Sequence, residues 1–288
     1  MGTLYLLGTP IGNLEDLTRR TERILGEVDR IFAEDTRRTR ILLDHLGIRT
    51  PLVSLHEHNE AARTGTVLEL LDEGAELALV SDAGTPLVSD PGGRLVPRVI
   101  EAGHRVVPIP GASAVLCALV GSGLPAVPFT FLGFVPRKGA ERGRLLERVA
   151  ASAETVVLFE SPERTPALLA ALAERAGPGR AACVARELTK LHEEFRRGTL
   201  AELARYYEAE PPRGEITVII APAPDEGSSP AVDEGAIRAL AGALLDEGAS
   251  PSRAAREVAR RLGLPRNRVY AAVQELASER DSAPNPSS

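Results

Sequence analysis

The chain has 288 residues, enough for two domains and a small third, and its 43% hydrophobic and 26% charged residues are ordinary for a globular protein. No apolar run approaches the ~18 residues of a membrane span, and the N-terminal residues lack the features of a signal peptide. The net charge of −6 argues against a protein that coats nucleic acid. Cys117 and Cys183 stand far apart with no further ligand at metal spacing, so we expect buried thiols, no metal site and a cytoplasmic location.

The first part of the chain alternates short apolar runs with helical patterns. A strand is predicted at residues 4–7, and apolar residues then recur at helical spacing from Leu14 to Val28, with Asn13 or Asp16 as the N-cap. Further strands are predicted at 31–33, 52–55, 77–80 and 105–108, and helices near 60–73 and 91–102. Repeated strand–helix–strand units indicate a mostly parallel sheet covered on both faces, which we assign to an N-terminal α/β domain at 1–121.

Five loops follow the predicted strands of this domain. They contain the segments GTPIGN, AEDTRRT, LHEHNE, SDAGTP and PGASA. Ligands of such sheets bind outside the carboxyl ends of the strands, so we expect the five loops to form one rim.

A second α/β pattern covers residues 122–222. Strands are predicted at 129–134, 155–159, 181–185, 195–198 and 215–220, with helices near 139–150, 164–176 and 199–208. A Pro-, Gly-, Ser- and acid-rich linker is predicted at 223–235, a helical module resembling a helix-turn-helix at 236–280, and a disordered tail at 281–288. The turn of that module falls at 263–265, although helical hairpins of other kinds share this pattern.

The glycine-rich segment SDAGTPLVSDPGG, residues 81–93, is typical of a ligand-binding loop. It matches neither a P-loop nor the dinucleotide fingerprint G-x-G-x-x-G. Asp82 and Asp90 also place negative charge where a phosphate requires amide groups and cations. The loop therefore predicts a neutral or positively charged ligand.

Two stretches are basic although the chain as a whole is acidic. Residues 250–270 contain six arginines and one glutamate, and residues 137–148 carry five basic and two acidic side chains. Such patches bind phosphate or form solvated helix faces, and charge alone favours solvated faces.

The ordered motifs GTPIGNLEDLTRR, AEDTRRT, SLHEHNE, SDAGTPLVSDPG, PGASA, LFESPERT, RELTKLHEEFRRG and GEITVII cover almost all of residues 2–221. Together they resemble the tetrapyrrole methylase superfamily, and EDTR, HEHN and SDAGTP resemble its branch that methylates the ribose 2′-hydroxyl of a cytidine in the decoding centre of 16S rRNA. Corrin-ring enzymes usually carry GGDP where this chain has AGTP. The segment SRAAREVARRLGLPRNRVYAAV resembles the helix-turn-helix appended to many members.

The resemblance implies two α/β domains with S-adenosylmethionine in the cleft between them, a homodimer, and 16S rRNA, within a small subunit, as the partner. A positive sulfonium tolerates nearby carboxylates, and glycines let the backbone approach it. Carried over by motif, the cofactor contacts are Pro10, Asp82, Ala83, Gly84, Thr85, Pro86, Ser113, Ala114, Phe159, Glu160, Leu188 and Glu215.

Methyl transfer to a hydroxyl requires a group that accepts its proton. The candidates at the rim are Glu34, Asp35, His56, His58, Glu187 and Lys190. We favour Asp35, because it follows a strand end and Arg37 can hold it, with Lys190 and Glu187 as the second choice. Structural ion pairs explain the EDTRRTR segment equally well.

Substrate contacts are expected from polar and basic residues of the rim and of the two basic stretches. They are Asn13, Arg37, Arg38, His56, His58, Asn59, Arg137, Lys138, Arg253, Arg256, Arg260 and Arg266.

Two other functions stay open from the sequence. A corrin- or porphyrin-precursor methyltransferase would use the same scaffold, and Arg37, Arg38 and Arg40 would suit its polycarboxylate substrate. A helix-turn-helix regulator with a ligand-sensing α/β domain would bind duplex DNA and turn over no cofactor.

Overall fold

The computed structural model describes residues 1–224, 234–247, 249–262, 269–270 and 272–276. The chain divides into two compact units, Met1–Ala223 and Pro224–Ser288. No helix within the described ranges is long and apolar enough to cross a bilayer.

The first half of the larger unit is a five-stranded sheet. Its strands are β1 (Thr3–Leu7), β2 (Arg30–Ala33), β3 (Leu52–Ser54), β4 (Glu76–Val80) and β5 (Arg105–Ile109), and its helices are α1 (Arg19–Glu27), α2 (Thr36–Leu46), α3 (Glu60–Asp72), α4 (Leu95–Glu101) and α5 (Ala114–Ser122). The strand order is β3-β2-β4-β1-β5 and every pairing is parallel, which confirms the predicted parallel sheet. Apolar clusters cover the sheet on both faces, as crossover connections require.

Helix capping in this half differs from the sequence prediction at one point. Asn13 accepts a hydrogen bond from the backbone N–H of Glu15 and caps only a short 3₁₀ helix, and Asp16 ends that helix. The N-cap of α1 is instead Thr18, whose side chain accepts from the N–H of Thr21. The predicted N-cap was therefore wrong, because a short 3₁₀ turn precedes the α-helix.

The second half of this unit is a mixed sheet. Its strands are β6 (Phe129–Phe134), β7 (Thr155–Glu160), β8 (Ala181–Arg186), β9 (Glu194–Thr199) and β10 (Ile216–Ile220), and its helices are α6 (Gly139–Ala151), α7 (Thr165–Ala176) and α8 (Leu200–Ala209). The order is β6-β7-β10-β8-β9, in which β6 and β7 are parallel and the other three pairings antiparallel.

Helix α5 joins the two halves. Val115, Ala118 and Leu119 on this helix pack in one apolar cluster with residues of β7, β8 and β10, including Cys183. Because α5 directly follows β5, this packing holds the carboxyl-end loops of the first sheet against the second sheet.

The smaller unit is helical where it is described. Helices α9 (Glu234–Asp246) and α10 (Pro251–Leu262) share an apolar cluster with Val269 and Val273. Helix α9 begins two residues before the predicted start of the helical module at 236, and residues 225–233 of the predicted linker lie outside the described residues. The predicted turn at 263–265, Arg266 and the tail at 281–288 lie outside the described residues.

Candidate active site

A cavity of about 450 Å³ lies between the carboxyl-end loops of the first sheet and the second sheet. Eleven predicted site residues line it: Glu34, Arg38, Asp82, Ala83, Gly84, Thr85, Ser113, Ala114, Phe159, Glu160 and Glu215. Its other lining residues are Ile11, Val88, Ser89, Asp90, Val115, Phe134, Ser161, Pro162, Gly214, Ile216 and Thr217. Most of these adjoin a predicted residue in sequence, so extending each motif by a few positions would have found them.

Hydrogen bonds tie three of the rim loops together. The N–H of Thr9 donates to the carbonyl of Gly84 at 2.9 Å, and the N–H of Gly84 donates back to the carbonyl of Thr9 at 3.0 Å. The hydroxyl of Thr85 donates to the carbonyl of Ala112 at 3.3 Å. Gly84 has a φ of +85°, a conformation that residues with a Cβ rarely adopt, and an added Cβ would lie 3.3 Å from Ile11 Cγ2.

Asp82 connects the loop after β4 to the loop after β2. Its Oδ1 accepts from the N–H of Asp35 at 2.9 Å, and its Oδ2 lies 3.6 Å from Nε of Arg38. Asp82 therefore fixes the start of α2 as well as lining the cavity.

Asp35 is the N-cap of α2 and does not line the cavity. Its carboxylate accepts from the backbone N–H of Arg37 and pairs with the guanidinium of the same residue. The side-chain hydrogen bonds of Arg37, followed by its N–H, lower the pKa of Asp35 to about 2.

Three carboxylates face the cavity on the side of the first sheet: Glu34, Asp82 and Asp90. Burial raises the pKa of Asp90 to about 7, and the negative charges of Glu34 and Asp82 add to the effect, whereas a hydrogen bond from Ser81 opposes it. Burial also raises the pKa of Glu34. A group that titrates near neutral pH is suited to accept a proton during a reaction.

Glu160 lies on the opposite wall and its side chain is fully buried. Its Oε1 accepts from the N–H of Ser161 at 2.8 Å and pairs with Arg164. Its Oε2 accepts no hydrogen bond from any described residue and lies 4.0 Å from Nη1 of Arg142. Because both oxygens are shielded from solvent and lie near Arg164 and Arg142, the carboxylate of Glu160 holds this wall together and offers no exposed acceptor to the cavity.

Glu187, Lys190 and Glu215 form a linked group beside the cavity, which only Glu215 lines. Nζ of Lys190 lies 2.9 Å from Oε1 of Glu187 and 3.1 Å from Oε2 of Glu215. The hydrogen bond from Lys190 and one from the N–H of Glu215 lower the pKa of Glu187. Glu187 and Thr189 have positive φ angles of 49° and 66°, so this turn is strained beside the cavity.

The remaining predicted contacts lie outside the cavity lining. Pro10, Pro86 and Leu188 adjoin lining residues in sequence or packing, and Leu188 packs in one cluster with Ile11. Asn59 accepts from the N–H of His56 at 2.9 Å, and the rings of His56 and His58 stand 6.0 Å apart after the edge strand β3. The structure therefore brings the histidines together, away from the cavity.

The predicted basic contacts fall in three places. Arg37, Arg38, Arg137 and Lys138 are exposed in the larger unit, and Arg253 and Arg256 are exposed on α10. Arg260 lies on α10 with a side chain that is not described, and Arg266 lies outside the described residues.

Two sheets with a ligand-sized cleft at the carboxyl ends of parallel strands define a two-domain α/β binding protein or enzyme. The sequence-family model of the Tetrapyrrole (Corrin/Porphyrin) Methylases matches residues 3–204 of the chain. The family model of the RsmI C-terminal HTH domain matches residues 231–277. The chain belongs to the tetrapyrrole methylase family.

Curated relatives match almost the whole chain. The protein named Ribosomal RNA small subunit methyltransferase I of Synechocystis sp. is 44% identical, over 97% of this chain and 100% of the relative. The protein of the same name from Micromonospora olivasterospora is 47% identical, over 97% of this chain and 88% of the relative. Uroporphyrin-III-C-methyltransferase of Thermus thermophilus covers 76% of this chain and 94% of its own, with a TM-score of 0.54 and 23% identity, a likeness of fold alone.

Methylases of this family use S-adenosylmethionine, and so does this chain. The lining residues fit that cofactor, because Gly84 leaves room at the backbone and the carboxylates of Glu34, Asp82 and Asp90 suit a cation. Among the described residues, no three or more His, Cys, Asp or Glu side chains are grouped to hold a metal ion.

Proposed function

We propose that the chain methylates the ribose 2′-hydroxyl of a cytidine in 16S rRNA, with an assembled or nearly assembled small ribosomal subunit as the substrate. The observation that carries the proposal is the near full-length match to proteins named as small-subunit rRNA methyltransferases, combined with the carboxylate-lined cleft. The corrin or porphyrin alternative has support from the broad family model and from the fold, whereas the near full-length relatives reported above carry the rRNA methyltransferase name.

The cofactor is proposed to lie along the Ala83–Gly84–Thr85 turn, Ser113 and the wall that carries Glu160. When bound, it supplies a methyl group on a positively charged sulfur. Gly84 keeps side-chain atoms out of that space, and the carboxylates of Glu34, Asp82 and Asp90 suit the positive charge.

We propose that Asp90 accepts the proton of the ribose hydroxyl. Asp90 lines the cavity and has a pKa raised to about 7, so it is both present as the base near neutral pH and basic enough to act. Asp35, with a pKa lowered to about 2 and its oxygens held by Arg37, is a much weaker acceptor. Asp35 stays a prediction that a variant described below tests, and Lys190 and Glu187 stay the second-choice predictions.

The substrate is proposed to approach past exposed basic side chains. Arg38 lines the cavity, and Arg137 and Lys138 are exposed just before α6. Exposed arginines on α10 would add contacts to phosphate.

A homodimer and a cytoplasmic location complete the proposal. Exposed apolar side chains of the larger unit support self-association, since Leu116, Val120 and Leu191 are 52%, 73% and 92% exposed. Light scattering at micromolar concentration that gives the mass of a monomer, 30.6 kDa, would contradict the dimer.

A methyl-transfer assay tests the function. The enzyme is offered labelled S-adenosylmethionine with small subunits that lack the modification, naked 16S rRNA, a uroporphyrinogen or duplex DNA. We expect 2′-O-methylcytidine in the digested RNA of the subunit reaction, measured by mass spectrometry. A base-methylated nucleoside, transfer to the macrocycle, or tight DNA binding without turnover would overturn the proposal.

A further inference from the structure

The ring of Phe134 lines the mouth of the cavity and is 59% exposed. The chain has only six phenylalanines, four tyrosines and no tryptophan, so an aromatic ring kept in solvent at this position is unusual for it. Exposing a ring forfeits the stabilisation that burial would give, which indicates that the exposed face is used.

A break in strand pairing turns this ring toward the cavity. Phe131 pairs with Val157 but Phe134 pairs with Phe159, so β6 carries one more residue than β7 between these pairs. The positive φ of 70° at Gly133 allows the bulge. In a regular strand Phe131 and Phe134 would point to opposite faces. Here both rings contact Phe159, whose ring centroid lies 4.9 Å from that of Phe131 and 5.3 Å from that of Phe134.

A strained loop of the first sheet adjoins this bulge at the cavity. Leu87 and Ser89 have positive φ angles of 72° and 69°, and Ser89 Oγ is so close that a Cβ added to Gly133 would lie 3.3 Å from it. Val88, between them, is 39% exposed and also lines the cavity. Phe134 and Val88 thus form apolar walls on two sides of the mouth.

We propose that Phe134 is the platform on which the base of the target nucleotide stacks while its ribose enters the cavity. The inference rests on the proposed function, which requires a nucleotide at this mouth. A flat apolar face in solvent binds a nucleobase in any sequence, because every base has a π face. Arg137 and Lys138, three and four residues further along, are exposed and in reach of the phosphates of the same strand. The ring of Phe159 lies between those of Phe131 and Phe134 and is half-buried, so we expect it to contact the cofactor and not the base.

The experiment compares Phe134→Leu, Phe134→Tyr and Phe134→Trp with the wild type on small subunits. Stacking of a base on an aromatic ring changes binding by about 5- to 150-fold. We expect Phe134→Leu to raise KM for the subunit by a factor within that range, and the Tyr and Trp variants to have a KM close to that of the wild type. The cofactor dissociation constant should be unchanged in all three variants. Phe129→Leu on the same strand, 36% exposed and outside the cavity lining, serves as the matched control.

A spectroscopic readout separates stacking from a packing role. Because the chain has no tryptophan, Phe134→Trp carries a single tryptophan that can be excited at wavelengths where the four tyrosines do not absorb. Stacking on a base should quench its emission when an RNA oligonucleotide of the target sequence or the subunit is added. Equal KM values for the Leu and wild-type enzymes, or emission unchanged at saturating substrate, would overturn the inference while the proposed function stands. Altered cofactor affinity in Phe134→Leu would assign the ring to the cofactor instead. A wild-type enzyme that methylates no RNA would overturn both.

Discussion

Arg37 holds both carboxylate oxygens of Asp35, with Nε 3.0 Å from Oδ1 and Nη2 2.7 Å from Oδ2. The same Oδ1 also accepts from the N–H of Arg37 as the cap of α2. These bonds stabilise the charged carboxylate and keep its pKa near 2. The ion pair that made Asp35 attractive in the sequence therefore weakens it as a proton acceptor.

Replacing each aspartate by asparagine separates the two candidates. We expect Asp90→Asn to lower turnover on the small subunit by about a hundredfold or more, since a general base contributes ~10²–10⁴-fold. Asp35→Asn keeps a capping side chain, so its turnover should fall by less than about tenfold. Cofactor affinity, measured by calorimetry, should stay unchanged in Asp35→Asn, because Asp35 lies outside the cavity lining. A hundredfold loss confined to Asp35→Asn would return the role to Asp35, and full activity in both would move it to Lys190 or Glu187.

The pH profile of single-turnover methylation is a second test of Asp90. The group is the base only when ionised, so the rate should rise with pH and level off above an apparent pKa of about 7. The negative charges of Glu34 and Asp82 raise the pKa of Asp90 and a hydrogen bond from Ser81 lowers it, so these three groups shape the titration together with burial. The inflection should disappear from the residual rate of Asp90→Asn. A wild-type rate that is flat between pH 5 and 8 would contradict the assignment.

Asp90 should also leave a signature in stability. A carboxylate whose pKa is raised by folding binds more protons in the native state, so its contribution is favourable at low pH and is lost as pH rises from about 4 to about 7. The free energy of unfolding of Asp90→Asn, relative to wild type, should therefore increase from pH 5 to pH 8 in urea titrations. Asp35→Asn is the matched control. Because the pKa of Asp35 is lowered by folding, its contribution to stability changes only in acid below pH 5, so the free energy of unfolding of Asp35→Asn relative to wild type should be constant from pH 5 to pH 8. An equally constant difference for Asp90→Asn would contradict the raised pKa.

The rim of the cavity was predictable because strand–helix alternation places loops at one edge of a parallel sheet, and Gly84, Ser113 and Asp82 lie in such loops. The arrangement of the second sheet was less predictable, because alternation of strands and helices does not determine that β10 pairs antiparallel with both β7 and β8. The role of Phe134 depends on a bulge at Gly133, which changes the face of every later residue and has no periodic signal. Burial and neighbouring charge distinguish Asp90 from Asp35, and both are properties of the folded chain.

Gly84 provides a test of where the cofactor binds. A valine at this position has an unfavourable φ of +85°, and its Cβ would lie 3.3 Å from Ile11 Cγ2 on the cavity wall. We expect Gly84→Val to abolish S-adenosylmethionine binding in calorimetry while the circular dichroism spectrum stays native. Gly93→Ala in the same loop is the control, since a Cβ there meets no atom within 4 Å. Unaltered affinity in a folded Gly84→Val protein would contradict the proposed location.

The arginines of α10 provide the test of the smaller unit. Ala254, Ala255 and Val258 of this helix are buried, whereas Arg253 and Arg256 are exposed on the opposite side. Arg261 is also exposed but pairs with Glu257 at 2.8 Å. An amphipathic helix of this kind presents positive charge that can meet a phosphate backbone.

We expect the double variant Arg253→Gln/Arg256→Gln to raise the KM for small subunits and to leave cofactor affinity unchanged. Each phosphate contact releases counterions, so loss of two contacts should reduce the slope of log affinity against log salt by about 1.5 to 2. Arg261→Gln, which removes a charge already paired with Glu257, should change this slope much less. The measurement is subunit binding between about 50 and 200 mM salt, the range in which such contacts dominate. A double variant with the wild-type slope would mean that the basic face of α10 is solvated and that this unit serves stability or assembly instead.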